Sequence, residues 1–294
     1  GRRLCRVLHR DMRVMGIDER PFDDRPKDVD HHQLDLRRKK AQDVFRGGAG
    51  AISAVVHLGV MHDSRRTRPD AHAWNVTTFS KLIDYVAQYR IPKLVVLSSA
   101  DVYGPQPDNA QFLSEEAPLL GGLRIPEVRE LVEIDMLAQS FFWKRPETET
   151  VLLRPVHILG HVHNAPSSYL RLPVIPTLLG FDPMVQVIHE DDVVRAIQLA
   201  LRPGVRGIFN VAGPEPRPVS RIIRATGRPT LPVPHWVARK MLDQLASAKV
   251  WKFPTPELDH IRYVCMVDDQ RARSELGFVP KKSVEDAIGT VLED

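Results

Sequence analysis

The chain has 294 residues, enough for one large domain or two smaller ones with a substantial core. Its 41 basic and 37 acidic side chains leave a formal charge of only +4, which demands no nucleic-acid partner and suits a small anionic ligand. No apolar run approaches the roughly 18 residues of a membrane span, no signal peptide is visible, and the cysteines Cys5 and Cys265 build no disulfide framework, so a reducing cytoplasm is the expected compartment.

The first segment, GRRLCRVLHRDMRVMGIDERPF (1–22), reads as a helix with Leu4, Val7 and Leu8 on its apolar face, followed by a buried strand, RVMGID, that ends in Asp18. In a dinucleotide-binding βαβ unit a Gly-rich turn opens the helix and cradles the pyrophosphate, and an acidic residue ends the next strand to bind the adenosine ribose. Asp18 stands where that acid belongs and Gly1 where the last glycine of the turn belongs; the first strand and most of the glycine loop are then expected ahead of Gly1. Taken alone, a carboxylate after a strand is as readily an ordinary loop residue.

Farther along, QLDL (33–36) sets Asp35 after a short apolar step, and RRKK (37–40) reads as a solvated helix start. AISAVVHLGV (51–60) is a strand closing on small Gly59, where a backbone can approach a ligand. AWNVTTFSKLIDYVAQYR (73–90) puts Val76, Phe79, Leu82, Ile83 and Val86 on one stripe, with Pro92 as the stop. KLVVLSS (93–99) is a strand ending in two serines, and VLLRPV (151–156) is another. Beyond it the texture changes: RLPVIPTLLGFDP (171–183) and GPEPRP (213–218) read as loops and short capping elements, interrupted by a helix within IHEDDVVRAIQLALRP (188–203) and a strand in GIFNVAG (207–213). Trp236, Trp251 and Phe253 are expected to fill a small C-terminal core. Apolar strands alternating with amphipathic helices predict a parallel sheet covered on both faces, hence α/β, a Rossmann-like doubly wound sheet with a smaller C-terminal substrate lobe. The expected division is 1–155 for the dinucleotide-binding core, 156–185 for a lobe segment, 186–212 for a return to the sheet and 213–294 for the rest of the lobe.

Asp18, LDL, VVHLGV, Asn75-Val76, SSADVYG, LLRPVHILG, VIHEDDVVRAI and FNVAGPEP follow one another at the spacing of the extended short-chain dehydrogenase/reductases. Over nearly its whole length the chain resembles their NAD-dependent epimerase/dehydratase family, above all a UDP-glucose 4-epimerase-like bacterial subgroup. The resemblance implies NAD rather than NADP, because Asp18 would bind the ribose hydroxyls and repel a 2′-phosphate; Arg20, two residues on, weakens that preference. It places Asp35 and Leu36 by the adenine, and His57, Leu58 and Gly59 under the pyrophosphate and ribose. Ser98, Arg154, Pro155 and Val156 would border the nicotinamide, and Ser99 matches the catalytic Ser/Thr. His189 and Asp191 would be mostly structural. A nucleotide sugar or other small anionic ligand is the implied substrate, and a homodimer the implied assembly.

One part of the pattern is missing. The family's proton transfer uses a Tyr and a Lys four residues apart on the helix after SSADVYG, the lysine charge lowering a phenol pKa that is otherwise ~10. Aligned on VEID, that helix carries Glu127 at the tyrosine position and Leu131 at the lysine position. No tyrosine lies between 104 and 168 and no lysine from 94 to 143, so a shift of register does not restore the pair. Glu127 is a candidate base; a solvated residue, beside an Arg129–Glu133 surface pair, is the simpler reading. Asp101 stands where sugar dehydratases carry a catalytic glutamate, with turn capping as the simpler role. His157, His161 and His163 straddle a strand end and a loop without cysteine or glutamate close by, so no metal site is expected. Two functions follow: a nucleotide-sugar enzyme with altered acid/base residues, or a non-catalytic dinucleotide-sensing or scaffold protein. Ordinary epimerase or dehydrogenase turnover is not expected of either.

Overall fold

The computed structural model describes residues 1–58, 72–124, 126–234, 236–237 and 264–293. Gly59, Trp251 and Phe253 lie outside them. The chain forms two compact units, each made of three separated segments. The first comprises Gly1–Leu97, Glu133–Leu152 and Ile197–Gly207, the second Ser98–Val132, Leu153–Ala196 and Ile208–Asp294.

Helix α1 (Arg2–Leu8) buries Leu4 and Leu8 and leads into β1 (Met15–Asp18), which pairs in parallel with β2 (Asp30–Gln33). The expected buried strand is only half buried: Met15 and Asp18 are exposed, since β1 belongs to a two-stranded ladder and not to the middle of a wide sheet. The basic run opens α2 (Lys39–Gly47), whose apolar side buries Ala41 and Phe45. Then comes β3 (Val55–His57), and after a wider turn over Ala73–Thr77, α3 (Thr78–Gln88) buries Phe79, Leu82 and Val86 of the expected stripe.

Strand β4 (Lys93–Leu97) pairs in parallel with β3, and Lys93 through Val96 are all buried. A burial of four successive residues is the mark of a strand covered on both faces. α4 (Pro126–Lys144) precedes β5 (Glu149–Pro155), and the four-stranded sheet runs β10-β5-β4-β3, with β10 at Gly207–Val211. Among the described residues this sheet and the β1–β2 ladder are separate.

Lys93 is a buried cation inside the first unit. Its Nζ donates to the carbonyls of Ala200 and Val205, each at 3.1 Å, and to that of Arg202, and it pairs with Glu149 at 2.8 Å. The ammonium thereby closes the C-terminal end of a helix, where unpaired carbonyls and the helix dipole both favour positive charge.

The proline-rich half holds more regular structure than its composition implies. β6 (His157–Leu159), α5 (Ala165–Leu170), β7 (Ile175–Leu178), β8 (Met184–Val185) and β9 (Val187–His189) lead to α6 (Glu190–Ala200). After β10 come β11 (Arg217–Pro218), α7 (Val219–Ala225), β12 (Thr230–Val233) and finally α8 (Val284–Leu292), which starts on a Ser283/Asp286 capping box. β6 pairs with β9 and β12 with β7 in parallel, while β11 pairs with β8 antiparallel. Pro176, Pro218 and Pro232 fall in these two-stranded ladders, where a missing N–H costs little. Leu159, Ile175, Val187, Ile223, Ile288 and Val291 belong to the second unit's own core. Trp236 does not join a core; it is 67% exposed, on a turn closed by the Val237 N–H to the Pro234 carbonyl.

Candidate functional site

In the first unit the predicted residues gather at strand ends. Asp18 closes β1, exposed, with its Oδ1 accepting the Arg20 backbone N–H at 2.9 Å. Asp35 follows β2, but its carboxylate is engaged: the Arg37 guanidinium donates to it at 2.8–3.0 Å through both Nε and Nη2, and the Arg37 backbone N–H adds a bond of 2.8 Å. Those contacts outweigh desolvation and hold the Asp35 carboxyl below its usual range. Arg37 in turn lies over the Trp74 ring at 4.9 Å, so the first arginine of RRKK is anchored where the rest of that run is solvated. Leu36 and Leu58 are half-buried, and Gly1 is the N-cap of α1.

His57 ends β3 with its ring 4.8 Å from that of Phe79. It is buried, its Nδ1 has no hydrogen-bond partner among the described residues, and desolvation lowers its pKa to about 4. The imidazole is therefore neutral at physiological pH.

The second unit holds the remaining candidates. Ser98 is buried, its backbone N–H bonded to the Leu153 carbonyl at 2.8 Å. Ser99 caps the short turn Ala100–Val102, its Oγ accepting the Asp101 N–H at 3.1 Å. The turn sits against Gly121, where an added Cβ would lie 2.2 Å from the Asp101 carbonyl oxygen and 2.9 Å from Val128 of α4. A Cβ added at Gly104, whose φ is +77°, would lie 2.7 Å from the Gly121 Cα. Glu127 is in the first turn of α4 and its side chain lies outside the described part of the structure. Leu131, at the position of the expected lysine, is buried.

Arg154, Pro155 and Val156 close β5, with the Val156 N–H bonded to the Val211 carbonyl at 3.0 Å. The Arg154 side chain turns inward and is wholly buried. Its Nη1 donates to the Tyr103 hydroxyl at 2.7 Å and the Glu115 carbonyl at 3.0 Å; the Tyr103 hydroxyl donates to Asn210 at 2.7 Å. The Asn210 N–H reaches Glu115 at 2.9 Å. Burial pushes the Tyr103 phenol up to about 12, so it acts as a neutral link and not as a base. His189 is equally committed, accepting the Asp191 N–H at Nδ1 and meeting Thr290 through Nε2 at 3.1 Å.

Two features escaped sequence reasoning. One is this Tyr103–Arg154–Asn210–Glu115 network, whose members are up to 107 residues apart. The other is a contact of His157 Nδ1 with Asp101 Oδ1 at 3.8 Å, both side chains partly exposed. SSADVYG and LLRPVHILG flag each end, but no local periodicity reveals that they meet. Among the described residues no cluster of three metal-ligating side chains occurs, and no helix is long and apolar enough to cross a membrane.

Parallel strands with helical crossovers, an acid ending β1 and a capped serine turn after β4 define a Rossmann-like dinucleotide-binding class. Within it, the chain belongs to the NAD dependent epimerase/dehydratase family, whose model matches residues 1–212. An uncharacterised protein of Mycobacterium tuberculosis is 25% identical over 261 residues, covering 87% of this chain and 69% of that protein. Among solved structures, MoeE5 in complex with UDP-glucuronic acid and NAD has a TM-score of 0.76 at 21% identity, over 99% of this chain and 93% of its own. The UDP-glucose 4-epimerase of Thermus thermophilus, complexed with NAD, has a TM-score of 0.76 at 19% identity, over 100% of this chain and 94% of its own.

Proposed function

We propose that this protein binds NAD and a nucleotide sugar, and that it does so without the tyrosine–lysine pair of its family. The observation that carries the reading is the combination of an exposed strand-end acid, Asp18, with a buried leucine, Leu131, where the lysine belongs. The first unit's residues suit a dinucleotide. Asp18 holds the adenosine ribose, Asp35 and Leu36 flank the adenine through backbone and aliphatic surface, and the unpaired Nδ1 of His57 marks a polar group at the end of β3 that a ribose or phosphate contact would satisfy. In the second unit, taken by itself, Ser98 follows β4 and Arg154, Pro155 and Val156 close β5, where the family pattern expects residues that border a nicotinamide. Bound NAD supplies a hydride acceptor; the chain's own part is binding and orientation. The sugar nucleotides held by MoeE5 support a ligand of that class.

A non-catalytic dinucleotide-sensing or scaffold role is the second reading, and the buried Leu131 is what favours it. A homodimer belongs to either reading, with the exposed Met136 and Trp143, two turns apart on α4, available to a second copy.

Cofactor choice tests the proposal. Arg20 is the cation that sequence sets beside Asp18, and the Arg37 fork is occupied by Asp35. Calorimetric titration is expected to give NAD at least about tenfold tighter binding than NADP, roughly 1.4 kcal/mol, with Asp18→Asn narrowing the gap. Equal affinities, or a preference for NADP, would overturn the assignment of Asp18.

A further inference from the structure

The second unit carries its charge unevenly, and the imbalance falls on one short helix. RPVSRIIRATGR (217–228) holds Arg217, Arg221, Arg224 and Arg228 and no acidic residue, so this stretch alone carries as much positive charge as the formal excess of +4 on the whole chain. Spacings of four, three and four residues bring the arginines to one side of α7 and its flanks, while Ile222 and Ile223 face the core on the other. Like charges at those spacings repel one another. Arg221, in the first turn, also stands at the helix end where the macrodipole disfavours a cation. Neither helix capping nor the dipole accounts for the placement.

Three of the arginines line a hollow of about 240 Å³ between α7 and α8. Buried Ile222 of α7 and Ile288 of α8 give it an apolar floor, and Arg217, Arg221 and Arg224 stand around it. The side chains of Arg221 and Arg224 are exposed and have no hydrogen-bond or ion-pair partner among the described residues. Arg217 is only partly engaged: it pairs with Glu215, while its buried Nε has no partner among the described residues. Glu285, exposed in the first turn of α8, is the one carboxylate of the described lining, and it pairs with none of the three. Arg228 is tied elsewhere, its Nη1 donating to the Arg171 carbonyl at 2.6 Å. A hollow of this size excludes a dinucleotide and suits a phosphate that carries a few carbons.

We propose that this hollow binds a phosphate ester, held by Arg221 and Arg224 with Arg217 beside them. Phosphate oxygens match the planar guanidinium fork, and charge-assisted pairs of that kind are short, strong and directional. A phosphate there offsets the repulsion along α7 and supplies the anion that its first turn lacks. The apolar floor takes the carbon part of the ester. All of these residues belong to the second unit, and none of them is assigned to NAD or to the nucleotide sugar, so the site serves a further ligand. A soluble phosphate ester and a phospholipid headgroup offer it the same chemistry.

Two probes test the assignment on the whole chain, with NAD and UDP-glucose in excess to occupy other phosphate sites. Glycerol 3-phosphate is titrated by calorimetry, and phosphatidylcholine vesicles containing phosphatidylglycerol are followed by co-sedimentation. Arg221→Gln with Arg224→Gln should weaken binding at least about tenfold. Arg221→Lys with Arg224→Lys keeps the charge and removes the fork, and should weaken it at least about threefold. In buffer alone the Gln variant should melt at or above the Tm of the unmodified protein, because like-charge repulsion has been removed. Saturable binding of glycerol 3-phosphate that the Gln variant loses supports a soluble ligand. Binding to the vesicles alone, again lost in the Gln variant, supports a headgroup. Binding of neither probe, binding that survives the Gln substitutions, full affinity in the Lys variant, or a lower Tm for the Gln variant overturns the inference.

Discussion

His57 and Lys93 are two buried nitrogen bases with opposite solutions to burial. Among the described residues the imidazole has no partner for Nδ1, and burial lowers its pKa to about 4. Between that value and the ordinary ~6.5 the unfolded chain takes up a proton that the folded chain refuses. Stability is therefore undiminished above the unfolded pKa and is lost as pH falls from about 6.5 toward about 4, by up to about 3 kcal/mol. Urea midpoints at pH 7 and pH 4.5 check this: the unmodified protein is expected to lose more than a His57→Leu variant does. Lys93 meets burial through partners instead: three carbonyls and Glu149 surround its side-chain nitrogen. Lys93→Met removes a charged donor from buried carbonyls and is expected to cost about 2–4 kcal/mol. Glu149→Gln, which keeps an acceptor at a partly exposed position, should cost less than Lys93→Met in the same denaturation series.

Among the elements, the turn after β4 is the most tightly specified. Gly121 lets the backbone pass so near the Asp101 carbonyl that a methyl group would overlap it. Gly121→Ala is expected to destabilise by about 1–3 kcal/mol, read as a lowered Tm. Legibility in the sequence followed the same gradient. β4, with the apolar Leu94, Val95 and Val96 buried in succession, and α3, with Phe79, Leu82 and Val86 inward, are local patterns and were readable as such. The small ladders of β7, β8, β11 and β12 were not, because prolines and lengths of two to four residues carry no period; only pairing with a distant partner makes them strands. At the candidate site Asp18 and Ser99 were legible from strand ends. The inward turn of Arg154 and the approach of His157 to Asp101 depend on tertiary contacts that no window of sequence contains.

At the scale of the whole molecule, both units are discontinuous in the chain, and the Lys93 clamp shows how far that reaches. Its carbonyl partners at Ala200 and Val205 come 107 and 112 residues later. A ribosome adds roughly 5–20 residues per second, so on the order of ten seconds separate the synthesis of β4 from that of the segment its ammonium holds. Until then the nascent first unit lacks Ile197–Gly207, one of its three pieces, and a cation destined for burial must remain in water. Such long-range closure slows folding and leaves the strands of the unfinished sheet accessible to chaperones and proteases in the interval. The timing of translation, and not only the final packing, is thus written into the position of a single lysine.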